Sequence, residues 1–277
     1  MSYNLNVFMI FPFYIFIFIF GSAVGSFLGV IVDRFSSKES IWKGRSHCDH
    51  CRHILGVLDL VPIFSFLFLG GKCRYCHKKL SWFYPSIEIC TAIVYLAASS
   101  VVIANPGGSI FQLQHLIQLF YYFILSGALI VIFFADLRYG IIPFTAVAAA
   151  LCMTIVWYFL SPVLDLHINI LASIASALGA GGFFFLLFFL TKGRGMGFGD
   201  VVYAFLMGFT LGFPGVFLGL YIAFVTGAIV SLLLVAIKKK RFKGGTIPFG
   251  PFLVSGTLIS LLWGNFLLGV IFHYLTL

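Results

Sequence analysis

Charge is what this chain lacks most. Only 9% of its 277 residues are Asp, Glu, Lys or Arg, and just 8 are acidic against 17 basic, whereas a soluble domain carries about 25% charged residues. With 61% hydrophobic residues and a mean hydropathy of +1.11, the shortage excludes a soluble globular fold. No HExxH occurs, which leaves zinc-catalysed proteolysis unsupported, and no Rossmann glycine fingerprint marks a dinucleotide site. Neither a repeat at solenoid spacing nor a low-complexity linker is visible. The amino terminus has neither the basic stretch nor the small-residue cleavage site of a removable signal peptide, so the first apolar run is expected to be retained.

What is present in quantity is long apolar runs. They are mostly continuous rather than alternating, so they predict membrane helices and not barrel strands. The expected spans are roughly 7–32, 87–104, 113–135, 142–160, 168–190, 201–212, 215–237 and 249–273, about eight in all, the sixth too short to cross without tilt. The fold class is therefore an all-α, polytopic membrane helix bundle. Phe-rich stretches such as FPFYIFIFIF and GGFFFLLFFL read as lipid-facing or packing surface.

Every Lys and Arg lies within 34–79, at Arg138, or within 192–194 or 238–243, and the connections near 105–112, 161–167 and 212–215 have none. The positive-inside rule makes the first set cytoplasmic and places both termini outside. The basic run Lys238-Lys239-Lys240-Arg241 directly follows a span, so anionic lipid headgroups explain it better than nucleic acid, and no nucleic-acid partner is expected.

The one long polar excursion, about 33–84, collects nine basic residues, four acidic residues and four of the six cysteines. It divides the chain into a first helix (1–32), a cytoplasmic loop domain (33–86) and a bundle (87–277). Cys48-Asp-His-Cys51 and Cys73-Arg-Tyr-Cys76 are two CxxC pairs with 21 residues between them, a spacing suited to tetrahedral zinc. Reduced free thiols and disulfides are the alternatives, the latter disfavoured in a reducing cytoplasm. Four thiolates would close the metal shell, so the zinc is expected to be structural. His47, His50, His53 and His77 lie close enough in sequence to replace a thiolate but read better as loop residues, and Cys90 and Cys152 read as small packing residues.

Asp136 ends the run LIVIFFAD, and Asp200 ends the glycine-rich GMGFGD. Both fall where an apolar segment meets the basic side of the membrane. Two carboxyls converging there could not both ionise cheaply and would share one proton. The ionised acid would then activate water while the protonated one polarises a carbonyl. Gly197 and Gly199 would allow close backbone approach at that site. No Ser-His or Cys-His arrangement competes. A cation- or proton-coupled transporter also uses buried membrane acids and is the alternative from a different class.

In order along the chain, GSFLGVIVDR at 25–34, SHCDHC, DLVP at 59–62, GKCRYC, YPSIE at 84–88, ADLRYGIIP at 135–143, GMGFGD at 195–200 and IPFGPFL at 247–253 closely resemble the bacterial type IV prepilin peptidases. These are intramembrane aspartic proteases that cut the short basic leader of prepilins and pseudopilins, and many also methylate the new amino terminus. The resemblance covers nearly the whole chain. It implies an inner-membrane enzyme with Asp136 and Asp200 as catalytic acids, the four cysteines as the loop tetrad, and S-adenosyl-L-methionine as methyl donor near Gly71 and Glu88. Asp33, Glu39, Asp49, Asp59 and Glu88 are the acids available to receive a basic leader. Pilus assembly, protein secretion and competence are the systems such enzymes serve. Three positions depart from the family's pattern, which commonly has Asp at Phe144, Lys at Val202 and Arg at Phe83. The cysteine loop separates this reading from GxGD proteases that cut membrane substrates generally.

Overall fold

A backbone inside lipid must satisfy its own N–H and C=O groups, and a helix does so within one segment. A computed structural model describes residues 3–37, 45–104, 112–164, 168–237 and 247–275. Its helices are α1 (Tyr3–Ser37), α2 (Phe64–Phe68), α3 (Phe83–Ile103), α4 (Leu113–Tyr139), α5 (Phe144–Leu160), α6 (Ile170–Leu190), α7 (Phe198–Ala236) and α8 (Gly250–Leu275). Among the described residues there is no strand, only two isolated antiparallel bridges, His47–Ile54 and Lys72–Lys79. Six helices are long and apolar enough to cross a membrane, and α5 is a shorter apolar one. The chain is a multi-pass membrane protein. It divides into two compact units, Met1–Val131 and Ile132–Leu277, with α4 running from the first into the second.

In the first unit α1 and α3 lie antiparallel along a glycine stripe. A Cβ on Gly21 would stand 2.8 Å from Ala92 Cα, one on Gly25 2.7 Å from Glu88 Cα, and one on Gly29 3.3 Å from Ile87 Cγ2. Small residues at every fourth position let two backbones approach, which is how helices associate in lipid. Tyr95 of α3 stacks on Phe123 of α4 with centroids 4.2 Å apart, and its hydroxyl donates to the Phe123 carbonyl at 2.9 Å. The excursion between α1 and α3 contains α2, a 3-10 turn at Val57–Leu60 and the four cysteines. The short helical pieces were not foreseen from the sequence. They are too brief to show a helical period. Cys90 and Cys152 were expected to pack, yet both are exposed on their helices.

In the second unit the expected sixth and seventh spans are the two helical arms of α7, which folds back on itself between them. Met207 and Gly219 would stand about 18 Å apart along a straight helix, but a Cβ on Gly219 would meet Met207 Cε at 2.5 Å. The reversal occurs at Gly212 (φ 62, ψ −175) and Phe213 (φ −87, ψ 139), where a positive φ suits glycine. The two arms are 198–211 and 214–236. With six long helices, α5 and this fold-back, the described residues contain eight apolar helical rods, as the sequence implies.

The first arm runs antiparallel to α6, with Gly181 against Phe205 and Gly208 against Ala177. It runs parallel to α5, whose Tyr158 hydroxyl donates to the Phe209 carbonyl at 2.8 Å. The second arm runs antiparallel to α8, where the Ser260 hydroxyl donates to the Gly215 carbonyl at 2.8 Å. These directions bring the end of α4 and the starts of α5, α7 and α8 to one end of the unit.

Candidate active site and metal centre

Asp136 lies in the last turn of α4, which ends at Gly140: the Gly140 amide donates to the Asp136 carbonyl at 2.8 Å, and φ is 66. The Asp136 side chain points away from its own helix, and Oδ2 accepts the backbone N–H of Gly250 at 2.9 Å. Gly250 opens α8, so that N–H belongs to the first turn, whose amides have no partner within the helix. Asp200, the third residue of the first arm, accepts the Gly197 N–H at 3.1 Å through Oδ2. Each carboxylate therefore rests on an amide at a helix amino terminus, where negative charge is favoured. Neither Oδ1 has a hydrogen-bond partner among the described residues. Both side chains are buried, and they are close enough for the charge of Asp136 to act on Asp200.

The glycines differ in their roles. A Cβ on Gly199 would stand 3.0 Å from Ile142 Cβ, so a bare backbone there lets the Ile141-Ile142-Pro143 segment lie against the start of α7. That segment directly links Asp136's helix to α5. Gly197 has ordinary dihedrals (φ −76, ψ 150), and its Cβ would lie at an ordinary 3.6 Å from Asp200 Oδ2, so its contribution is its N–H. Gly250 was missed as a site residue. Its signal was the run IPFGPFL, which places a glycine at the opening of the last helix but names no partner.

The four cysteines form the second site, in the first unit. Their sulfurs lie within 4.8 Å of one another, and Cys48 Sγ and Cys76 Sγ are 3.9 Å apart. A tetrahedral zinc with bonds near 2.3 Å needs sulfurs about 3.8 Å apart, so the set fits the metal. The two CxxC turns are copies of one structure. Cys48 N–H donates to His53 O at 3.0 Å and Arg52 N–H to Cys48 O at 2.9 Å. Likewise Cys73 N–H donates to Lys78 O at 2.9 Å and His77 N–H to Cys73 O at 3.0 Å. Arg52 (φ 59) and His77 (φ 56) occupy the same turn position.

Burial opposes ionisation of Cys73, but the amides of Cys76 and Tyr75 outweigh it and bring the thiol down to about 7. At Cys76 the Lys78 amide favours the thiolate, yet burial and the neighbouring thiols prevail and push it up to about 11. So crowded a set ionises fully only around a cation. The histidines stay out of the sulfur cluster: His47 Nε2 lies 2.9 Å from Arg52 Nη1, and the His53 ring sits 3.7 Å from that of Tyr75.

Among the described residues, the acids of the first unit are all engaged. Glu88, buried in α3, accepts the Ile63 N–H at 2.7 Å. Ile63 has φ 63 and ψ −53, the centre of a γ-turn closed by the Phe64 N–H donating to the Pro62 carbonyl, a conformation that costs a β-branched residue about 1–3 kcal/mol. Asp59 accepts from the Tyr75 hydroxyl at 3.1 Å and the Gly56 N–H at 3.0 Å, and pairs with Arg74 Nε at 2.6 Å. The Tyr84 hydroxyl lies within hydrogen-bond reach of Asp33 Oδ2 at 2.9 Å and Asp49 Oδ2 at 3.1 Å. Gly71 (φ 68) is a turn, with its N–H donating to Phe66 O at 2.8 Å, and no hydrogen bond joins it to Glu88. Glu39 lies outside the described residues. Of the three departures from the family's pattern, Phe144 is exposed, Val202 lines an apolar groove of about 380 Å³ with Leu178, Gly182 and Phe205, and Phe83 sets its ring edge-on to Tyr84.

Two family models match the chain: the bacterial peptidase A24 N-terminal domain over residues 19–102 and the type IV leader peptidase family over residues 123–232. The chain belongs to the type IV leader peptidase family. It is a peptidase, and the second match contains both aspartates. Similar relatives include prepilin leader peptidase/N-methyltransferases from Aeromonas hydrophila and Bacillus subtilis (strain 168). The first is 26% identical over 90% of this chain and 90% of the relative, the second 29% identical over 90% and 94%. A third, from Burkholderia pseudomallei (strain K96243), is 28% identical over 90% and 85%. No solved structure matches the chain.

Proposed function

We propose that this chain cleaves the short basic leader of type IV prepilins or pseudopilins at the cytoplasmic face of the inner membrane, with Asp136 and Asp200 as the acid–base pair, and then methylates the new amino terminus. The observation that carries the proteolytic half is a pair of buried carboxylates, near enough for the charge of Asp136 to act on Asp200, each held by a helix amino-terminal amide with Oδ1 left over. The pair holds one proton. The ionised member takes a proton from water as its oxygen attacks the scissile carbonyl, and the protonated member polarises that carbonyl and donates to the departing amine. The amides of Gly250 and Gly197 keep each carboxylate oriented without consuming the oxygen that reacts. Substrates with a basic leader and an apolar helix would present their junction at this depth, both termini of the enzyme lying outside.

The transferase half rests on the relatives' names. S-Adenosyl-L-methionine would supply an electrophilic methyl group. Glu88 is a buried carboxylate suited to an amino or ribose hydroxyl donor, whereas Gly71, closed into its turn, offers no cradle. Zinc on Cys48, Cys51, Cys73 and Cys76 would be structural, since four thiolates leave no open position.

The deciding experiment is leader cleavage of a prepilin-like substrate by Asp136→Asn and Asp200→Asn in proteoliposomes. Each variant should insert normally and lose cleavage entirely. Retained cleavage by either would overturn the assignment, and ion flux without hydrolysis would favour a transporter.

A further inference from the structure

Asp59 is a side chain that the proposed reaction leaves unused, yet its carboxylate is only 6% exposed and gathers three partners, an ion pair with Arg74 on Oδ1 and hydrogen bonds from Tyr75 and Gly56 on Oδ2. Two of them, Arg74 and Tyr75, are the residues between Cys73 and Cys76, inside one of the two metal-binding turns. The amides of Tyr75 and Cys76 bond the Cys73 sulfur, so any shift of that turn moves Arg74 and Tyr75 with it. Tyr75 also receives the His53 ring from the other turn at 3.7 Å. The third partner, the Gly56 N–H, closes the 3-10 turn in which Asp59 lies. The chain then passes through Val61 and Pro62 to Ile63, the centre of a γ-turn closed by the Phe64 N–H on the Pro62 carbonyl, and the Ile63 N–H is held by the carboxylate of Glu88. Glu88 in turn sits where α3 meets α1 at Gly25. An unbroken series of short contacts thus runs from the cysteine turn to a strained residue at the membrane helices.

We propose that Asp59 is a positioning residue that couples metal loading of the four-cysteine site to the seating of Ile63 on Glu88. When the sulfurs are gathered on a metal, Arg74 and Tyr75 are fixed, Asp59 is fixed, and the segment 59–63 is pressed into the strained γ-turn whose central N–H Glu88 accepts. When the metal leaves, the turn relaxes and Ile63 escapes to an ordinary conformation, uncovering Glu88. The metal module then sets the environment of the buried acid nearest the proposed methyl-donor site without touching substrate. Coupling of this kind is reciprocal, so loss of the Ile63–Glu88 bond must weaken metal binding by the factor that metal loss loosens Ile63. This inference rests on the zinc reading of the four cysteines.

The test uses the full chain in lipid nanodiscs, with zinc affinity read by a competing chelator and hydrogen exchange read at the Ile63 amide. Chelation should speed that exchange about tenfold. Asp59→Asn should raise exchange in the zinc-loaded protein and weaken zinc about tenfold, the lower end of what the loss of a supporting partner costs a metal site. Glu88→Ala should weaken zinc by a similar factor, whereas Glu88→Gln, which keeps an acceptor for the Ile63 N–H, should not. If Glu88→Ala fails to fold, Ile63→Gly serves instead: with the strain removed, the effect of chelation on exchange at residue 63 should shrink. A wild-type chain that retains no zinc overturns the metal reading and the coupling with it. One zinc per chain with exchange unchanged on chelation overturns the coupling alone.

Discussion

The amide of Gly250 donates to Asp136 Oδ2 at 2.9 Å, joining the first turn of α8 to the last turn of α4 across 114 positions of sequence. The approach depends on a missing side chain, because a Cβ on Gly250 would lie 2.5 Å from that oxygen and 3.0 Å from Cγ. Gly250→Ala should therefore push the carboxylate or the helix aside by part of an ångström. Misplacement by about 1 Å can cost about a hundredfold in rate. Leader cleavage is expected to fall by about that factor in kcat, with little change in KM and normal membrane insertion. Wild-type kcat in the alanine variant would contradict this.

Gly199 and Gly197 should respond differently. Gly199→Val would force its branched side chain into Ile142, whose Cβ already sits 3.0 Å from the position of an added Cβ, and cleavage should drop at least tenfold, the scale of about 1.4 kcal/mol. Ile142→Ala in the same chain should restore part of the loss by opening space. Gly197→Ala keeps the N–H and meets nothing closer than 3.6 Å, so it should stay within about threefold of wild type, well under that tenfold scale. Initial-rate measurements on the four proteins decide the matter, and equal defects at both glycines would show that backbone approach is not what distinguishes them.

The helical rods were legible because lipid leaves the chain few options, and long runs such as LIVIFFAD declare themselves by composition alone. Asp136, Asp200 and the cysteine spacing were legible because each breaks its surroundings: an acid in an apolar run, or thiols in pairs. What was hidden is what lies opposite what. Nothing in IPFGPFL says that the Gly250 amide faces Asp136, and nothing in DLVP says that Asp59 is gripped from the second cysteine turn. Both contacts use groups, a backbone N–H and a loop arginine, whose partners depend on how remote segments dock. The expected spans 201–212 and 215–237 correspond to the two arms of α7, which part at Gly212 and Phe213. The exposed positions of Cys90 and Cys152 could not be read, since a bundle helix shows no polar face to orient it.

Helix contact in the second unit gives a prediction about stability rather than catalysis. Gly208 of the first arm faces α6 so closely that an added Cβ would stand 2.7 Å from Ala177 Cα, with the Ser176 carbonyl nearer still. Backbone cannot rotate away as a side chain can. Gly208→Ala should therefore separate α6 from the arm and destabilise the unit by about 1–3 kcal/mol, the usual cost of overpacking. Gly182 is the control, because an added Cβ there meets nothing within 4 Å. Denaturation in mixed micelles should show a clear loss for the first variant and almost none for the second.

Metal affinity should depend on pH in a direction set by two thiols. Without metal, Cys73 titrates near about 7 and Cys76 near about 11, while zinc binds both as thiolates. At pH 8 Cys73 is already largely ionised, so binding displaces the Cys76 proton. Below pH 7 the Cys73 proton must be displaced as well. The metal-bound form holds neither proton, so affinity is greatest at high pH and is lost as pH falls. From these thiols alone, the logarithm of affinity should change by about one per pH unit near pH 8 and by about two below pH 7, because each displaced proton contributes one. Competition with a chelator from pH 6 to 9 would measure the slope. An affinity flat across that range would mean that the metal, if bound, is not held by thiolates formed from Cys73 and Cys76.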